Sequence, residues 1–194
     1  PSPTAARHCI QDMQGRVDAI VADEDCTIGV ESTVLSLVGR QPLLLRPGGV
    51  TLGQLQEVLG QVELHPSITA RLAPGQKAVS PGMKYKHYAP RAEVTIVHGG
   101  RRAFAEYVNQ KAAPGVFALC FEEDAAGGAI ALPCITYGFE EAPDTQAQHL
   151  FDALYRLDEQ GASIAYAHAP QTEGIGLAVY NRLLRAAAFR EIHL

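Results

Sequence analysis

The stretch AEVTIVHGGRRAFAEYVNQKAAPGVFALCF, residues 92–121, decides the fold class of this 194-residue chain. It reads as a strand rich in β-branched residues, an amphipathic helix and a second apolar strand. The pattern then continues with a helix at 145–161, a strand at 162–170 and a helix at 176–188. Alternating strands and helices are typical of a parallel sheet with crossover helices, so we predict a three-layer α/β domain of about a hundred residues after Pro90.

The residues before Pro90 follow a different pattern. A helix is predicted at 51–60, with Thr51 as its N-cap and Gly60 as its stop. The segment 61–90 contains four prolines and two glycines, which favours a linker. Three strands are predicted upstream: RVDAIVAD at 16–23, VESTVLSLV at 30–38 and QPLLLRPG at 41–48. Because three strands leave a sheet short of partners, we expect further structure upstream of this chain.

The composition places the chain among ordinary globular proteins, with 47% hydrophobic and 19% charged residues. It has no apolar run long enough to span a membrane and no signal-peptide pattern at its start, so we expect a cytoplasmic protein. The four cysteines form no C-x-x-C pair and have no histidines at zinc-finger spacing. This argues against a metal site and a disulfide framework.

The net charge of −5 is unevenly distributed. Residues 1–90 carry eight basic and eight acidic side chains, whereas residues 91–194 carry eight and thirteen. From Lys77 to Arg91, both included, the chain has four cations and no acid, which predicts a local positive patch and an anionic partner for it. A broad basic face is missing, which argues against general nucleic-acid binding.

Five motifs stand out along the chain: SPTAARH at 2–8, GVESTV at 29–34, LLRPGGVT at 44–51, SPGMKYKHYAP at 80–90 and EGIGLAVYNRLLRAA at 173–187. Taken together, they resemble those of the two-domain threonylcarbamoyl-AMP synthases. The resemblance spans the whole chain, and the eleven residues at 80–90 are its most specific part.

The resemblance implies a domain order and an activity. It assigns residues 1–60 to the C-terminal part of a YrdC-like catalytic α/β domain, 61–90 to a linker that acts as a lid, and 91–194 to a small Rossmann-like domain. These enzymes use ATP, with Mg²⁺, L-threonine and bicarbonate to make threonylcarbamoyl-AMP. The product goes to a machinery that transfers threonylcarbamoyl to adenosine 37 of certain tRNAs.

The family's upstream lysine, arginine and Ser-x-Asn elements have no counterpart in this chain. We therefore expect the full-length protein to be a nucleotidyltransferase and this chain alone to be inactive.

The resemblance assigns ATP contacts to two parts of the chain. Arg46 follows an apolar strand and precedes a Pro-Gly turn, where an arginine is either a surface residue or a phosphate ligand. The resemblance favours the ATP phosphates, and it gives Ser2 a further phosphate or ribose contact. In the segment 80–90, rings and cations suit a lid better than a spacer. Its expected ATP ligands are Tyr85 first, with Lys84 and His87.

Ser32 and Thr33 are the expected threonine ligands, again by resemblance. Alternation along a strand puts their hydroxyls on opposite faces, so only one of them can point into a given pocket. The residues alone fit equally well a half-buried strand with two satisfied hydroxyls. No residue is assigned as a catalytic acid or base, because the chemistry needs positioning and charge neutralisation more than covalent help.

Other features are interpreted structurally. Asn181 and Arg182 lie on a helix whose leucines face the sheet, and the glycines before it are attributed to packing and turn geometry. The tract EEDAAGGA at 122–129 is predicted to be an exposed turn. The histidines after the linker show no cluster in the sequence; they are His98, His149, His168 and His193.

The main alternative is a non-catalytic module that binds a nucleotide or a regulator. Binding of ATP without turnover would favour it. Direct tRNA binding is a third hypothesis, which would require affinity that falls steeply with salt; the acidic second half argues against it.

Overall fold

The computed structural model describes residues 1–71, Gly75 and residues 89–194. We call residues 1–71 the N-terminal region and residues 89–194 the C-terminal region. The helices are α1 (Ala6–Met13), α2 (Leu52–Leu59), α3 (Arg101–Asn109), α4 (Glu122–Ala126), α5 (Pro143–Glu159) and α6 (Gly176–Ala186). The strands are β1 (Val34–Ser36), β2 (Leu43–Arg46), β3 (Glu63–Leu64), β4 (Glu93–His98), β5 (Val116–Cys120), β6 (Cys134–Thr136), β7 (Ile164–His168) and β8 (Glu191–His193).

The N-terminal region holds a three-stranded sheet in the order β1-β2-β3. β1 runs antiparallel to β2, which pairs in parallel with β3. Helix α2 follows β2 as the sequence predicts: the Thr51 hydroxyl caps it by accepting from the amide of Gln54, and Gly60 ends it with a φ of 74°. That positive φ suits glycine, which lacks a Cβ.

The strand predicted at 16–23 is wrong. These residues form no strand and are exposed. Strand propensity reflects a fit to a paired, half-buried surface, and no strand in the described part of the chain pairs with this segment. The strand predicted at 30–38 is present only as the short β1.

The segment just after α2 is packed into the N-terminal region. Val62 and Ile68 are buried against Leu44 and against Leu177 of α6. A short 3₁₀ helix, Pro66–Ile68, lies within this segment. Val62 and Ile68 thus pack on Leu44 of β2 and on α6 of the C-terminal region. The start of the linker at residue 61 stays a prediction.

The C-terminal region contains a five-stranded sheet in the order β6-β5-β7-β4-β8. All four neighbouring pairs are parallel. The parallel sheet predicted from the alternating pattern is confirmed. Strands β6 and β8, each three residues long, extend it at both edges beyond the prediction.

Helices cover both faces of this sheet. Phe104 and Val108 of α3 pack with Val97 and Ala118 on one face. Helices α5 and α6 pack on the other face, against the side chains that include Ile96 and Leu119. The sense of the crossovers explains the two layers, because right-handed connections put helices on opposite faces when the direction of travel along the sheet reverses.

The tract predicted as an exposed turn at 122–129 is partly a helix, α4, and its Asp124 is only 6% exposed. The Asp124 carboxylate accepts from the Phe121 amide and so caps α4. It also pairs with the buried His168. The run of acidic residues in the sequence suggested solvent exposure. One of them, Asp124, instead pairs with a buried histidine 44 residues away.

In the described part of the chain, no helix is both long enough and apolar enough to cross a membrane.

Candidate functional site

Ser32 and Arg46 lie together where β1 meets β2. Arg46 ends β2 and is the register partner of Val34, at the start of β1. Its guanidinium donates from Nε to the Ser32 carbonyl at 3.0 Å and from Nη2 to the Ser32 hydroxyl at 3.1 Å. The antiparallel pairing thus brings together two residues that the sequence assigned separately to ATP and threonine.

Arg46 retains binding capacity in this arrangement. A guanidinium carries five N–H donors, and these two bonds use one at Nε and one at Nη2. Within residues 1–71 and 89–194, Arg46 forms no ion pair with an acidic side chain, and it is only half-buried. A cation of this kind suits an anionic ligand with several oxygens.

A close backbone contact fixes the turn after Arg46. A Cβ added to Gly48 would lie 2.4 Å from the Glu31 carbonyl oxygen and 2.4 Å from the Thr33 nitrogen. The turn therefore packs directly against the backbone on both sides of Ser32, and only glycine fits there.

Thr33 has its hydroxyl engaged with the same turn. It donates to the Val50 carbonyl at 2.7 Å and accepts from the Val50 amide at 3.1 Å. A ligand would have to share or displace these bonds. The role of Thr33 in binding threonine stays a prediction, as does that of Ser32.

Ser2 reaches the site through Glu31, which sequence reasoning did not single out. The Ser2 hydroxyl donates to Glu31 Oε1 at 2.5 Å, and Arg182 donates from Nε to Glu31 Oε2 at 2.5 Å. Burial alone would raise the pKa of Glu31, but the charge of Arg182 and these hydrogen bonds outweigh it and hold the pKa below its usual value. Glu31 therefore stays ionised. The role of Ser2 in binding ATP remains a prediction.

A cavity of about 380 Å³ lies beside Ser2 and Glu31. Ser2 and Glu31 line one part of it, together with Thr4, residues 26–30 and Phe151 of α5. Its volume falls in the range of about 300–1,000 Å³ that is typical of small-molecule sites.

The three ATP ligands expected in the lid, Lys84, Tyr85 and His87, lie outside the described residues.

Two of the histidines that showed no cluster in the sequence are neighbours in space. His98 of β4 lies opposite His193 of β8 in the sheet, and their rings stack with centroids 4.2 Å apart. The Nε2 atom of His98 lies 2.6 Å from Glu191 Oε2. Tyr180 also donates to that carboxylate oxygen, at 2.7 Å. The His98, Glu191 and His193 ligand atoms are close enough together for a metal ion. The stacked rings are nearly parallel, at 9°, so one ion cannot lie in both ring planes, and we assign no metal there.

His168 forms a separate buried pair. Its Nδ1 lies 2.7 Å from Asp124 Oδ2 and its Nε2 lies 2.8 Å from the Gly99 carbonyl oxygen. Burial by itself would lower the pKa of His168, but the bonds to Asp124 and Gly99 outweigh it and raise the pKa. Both ring nitrogens face acceptors, which suits the imidazolium form.

Comparison with known protein families gives two matches along the chain. A family model described as "Threonylcarbamoyl-AMP synthase, C-terminal domain" matches residues 50–188. A second model, described as "Telomere recombination", matches residues 1–48.

Individual relatives match almost the entire chain. A threonylcarbamoyl-AMP synthase of Pyrococcus abyssi is 36% identical over 99% of this chain and 56% of its own length. One of Bacillus subtilis is 38% identical over 99% of this chain and 55% of its own length. The chain thus spans about half the length of these relatives.

A solved structure, P. abyssi Sua5 complexed with L-threonine, is 34% identical to this chain and superposes with a TM-score of 0.83. The match covers 100% of this chain and 56% of that one.

Proposed function

Since this chain belongs to the family of threonylcarbamoyl-AMP synthase C-terminal domains, we propose that the full-length protein is an L-threonylcarbamoyladenylate synthase. It converts ATP, L-threonine and bicarbonate to threonylcarbamoyl-AMP and pyrophosphate. The product serves the threonylcarbamoyladenosine modification at position 37 of tRNA, through a separate transfer machinery in the cytoplasm.

The proposed reaction has two bond-forming steps. The threonine amine attacks the carbon of bicarbonate, which gives a carbamate and releases water. A carbamate oxygen then attacks the α-phosphorus of magnesium-bound ATP, and the bond to the β-phosphate oxygen breaks to release pyrophosphate. Both steps depend on holding charged reactants together, so positioned cations contribute more than acid or base groups.

The observation that carries the proposal is the Ser32 and Arg46 contact. Arg46 donates to the Ser32 hydroxyl at 3.1 Å, so a hydroxyl and a guanidinium lie side by side at the end of β2. The guanidinium can neutralise phosphate or carbamate oxygens, while the hydroxyl can bond the threonine. The L-threonine in the complex of the P. abyssi relative supports threonine as the substrate.

This chain alone is proposed to be inactive, although it contains Ser32 and Arg46. The resemblance assigns further elements of the site, a lysine, an arginine and a Ser-x-Asn element, to a part of the family's catalytic domain that has no counterpart in this chain. The lid residues Lys84, Tyr85 and His87 are proposed to approach ATP once it is bound.

The test is formation of threonylcarbamoyl-AMP from labelled bicarbonate, L-threonine and ATP with magnesium. This chain is assayed beside a version extended at its N-terminus to the full length of the relatives. We expect product only from the extended protein. Absence of product from the extended protein, together with ATP binding measured by calorimetry, would replace the synthase with the alternative, a nucleotide-binding module without turnover.

A further inference from the structure

We propose that Arg182 is a positioning residue for the Ser32 and Arg46 site, through which helix α6 of the C-terminal region sets the shape of a site built in the N-terminal region. The inference rests on the proposed function, because it takes this site to be the place where substrate binds. It gives the C-terminal region a defined part in the reaction.

Arg182 holds the two backbone segments that carry the site. Its Nε bonds the Glu31 carboxylate, and its Nη2 donates to the Pro47 carbonyl at 3.0 Å and to the Glu31 carbonyl at 3.4 Å. Glu31 immediately precedes Ser32, and Pro47 immediately follows Arg46. One planar guanidinium therefore sets the separation between the segment before β1, which carries Ser32, and the turn that follows Arg46.

The guanidinium is itself held in a fixed orientation. The Arg182 side chain is 0% exposed, while that of Glu31 is 24% exposed. Arg182 Nη1 donates to Asn181 Oδ1 at 2.8 Å, and Asn181 Nδ2 donates to the Ile68 carbonyl at 2.7 Å. A buried cation needs its hydrogen bonds, so Arg182 has little freedom to leave Glu31 and Pro47.

A purely structural role, in which α6 only joins the two regions, is the competing explanation. Arg185 provides the comparison, because it lies on the same helix, is also buried, and donates to the Ser67 carbonyl of the N-terminal region. Ser67 belongs to the 3₁₀ helix and not to either segment that carries Ser32 or Arg46. Replacing Arg185 should therefore weaken the contact between regions and leave the Arg182 bonds to Glu31 and Pro47 in place.

The first experiment measures kcat and KM for ATP and threonine in the full-length protein and its Arg182→Gln, Arg182→Lys and Arg185→Gln variants, with Tm recorded for each. We expect both Arg182 variants to lose about 10- to 100-fold in kcat/KM, since small misplacements of reacting groups have effects of this size. Compared with Arg182→Gln, Arg182→Lys should restore more of the lost Tm than of the lost kcat/KM. Lysine keeps the positive charge but lacks the planar set of N–H donors of a guanidinium. The Arg185 variant should lower Tm and keep kcat/KM within about twofold.

The second experiment needs no substrate or turnover. Amide hydrogen exchange is measured on this chain over residues 29–34 and 46–50, for the unchanged protein and for the Arg182→Lys and Arg185→Gln variants. Faster exchange at both segments in the Arg182 variant alone supports the positioning role. Equal exchange in both variants, or a loss of kcat/KM that tracks Tm equally in both, would overturn it. Failure of the proposed function looks different: the unchanged full-length protein makes no product, whatever the exchange shows.

Discussion

The N-terminal and C-terminal regions bury their apolar side chains to very different extents. In the C-terminal region, every residue of β5 is buried, and helices pack on both faces of the sheet. In the N-terminal region, the small cluster of Leu44, Val62 and Ile68 is completed by Leu177 of α6. Apolar side chains elsewhere in it stay exposed, including Val21 at 99%, Val38 at 91% and Val58 at 83%.

This difference separates what stabilises the protein from what forms its proposed site. The C-terminal region has a core of its own, whereas the N-terminal region depends on contacts with α6 and leaves several large apolar side chains exposed. Yet Ser32 and Arg46 belong to the less buried region. The predictions that follow test this division, from the largest effect to the smallest.

Removing a side chain from the larger core should have the largest effect. Leu119 of β5 is 0% exposed, so Leu119→Ala should lower the free energy of unfolding by about 2–5 kcal/mol, through lost burial and a residual cavity. Urea denaturation measures it. Leu44→Ala, at an equally buried position in the smaller cluster, should cost less because that cluster can relax more easily. An equal or larger loss at Leu44 would contradict the division.

The buried pair of His168 and Asp124 should make the C-terminal region sensitive to pH. The pKa of His168 is raised in the folded protein. The pair's contribution to the free energy of unfolding is therefore full below the ordinary histidine pKa of 6.5, and it is lost as the pH rises through the higher folded pKa. Asp124→Asn should cost about 1–3 kcal/mol at low pH, and less as the pH rises through that window.

Urea denaturation at a series of pH values checks this expectation, with the exposed His149→Gln as the control. A loss in Asp124→Asn that stays constant across the window would show that the pair is not an ionic one.

The site in the N-terminal region should respond in activity more than in stability. Arg46→Ala in the full-length protein should reduce kcat/KM for ATP more than about tenfold, since it removes a positioned cation from the proposed phosphate site. Tm should change little, because Arg46 is only half-buried. Arg40→Ala, which changes an exposed arginine in the turn between β1 and β2, is the matched control. Unchanged kinetics in Arg46→Ala would remove its assignment to ATP.

The smallest effect is expected at the N-terminus of α2. Thr51→Ala removes the hydroxyl that accepts from the Gln54 amide, and it should cost about 1 kcal/mol. Amide hydrogen exchange should show that α2 loses protection while the C-terminal region is still protected. The exposed Thr69→Ala serves as control. Simultaneous loss of protection in both regions would show that they unfold as one unit.

The C-terminal fold was largely predictable because its signal is local. Each predicted strand and helix there carries its own periodicity, and the parallel order follows from their alternation. The edge strands β6 and β8 escaped prediction since three residues give too little pattern. The false strand at 16–23 had the right composition but no pairing partner, which local sequence cannot reveal.

Sequence and resemblance indicated members of the candidate site one by one, but not their arrangement. The sequence indicated Ser32 and Arg46 separately, and the β1 and β2 pairing joins them. Glu31 and Arg182 were missed, because their contact joins residues 151 positions apart. An arginine among leucines on a helix gives no sign of a distant carboxylate. The structural interpretation of Arg182 from the sequence therefore did not include its contact with Glu31.

The short outer strands of the larger sheet bear on how copies of this protein meet. β6 and β8 have three residues each, and both lie beside longer strands that are already paired on two sides. A sheet edge of that length offers few free amides and carbonyls to a second molecule, which disfavours edge-to-edge aggregation through the C-terminal region. At high concentration, the exposed apolar side chains of the N-terminal region, among them Val21, Val38 and Val58, should therefore contribute more to self-association than this sheet edge does.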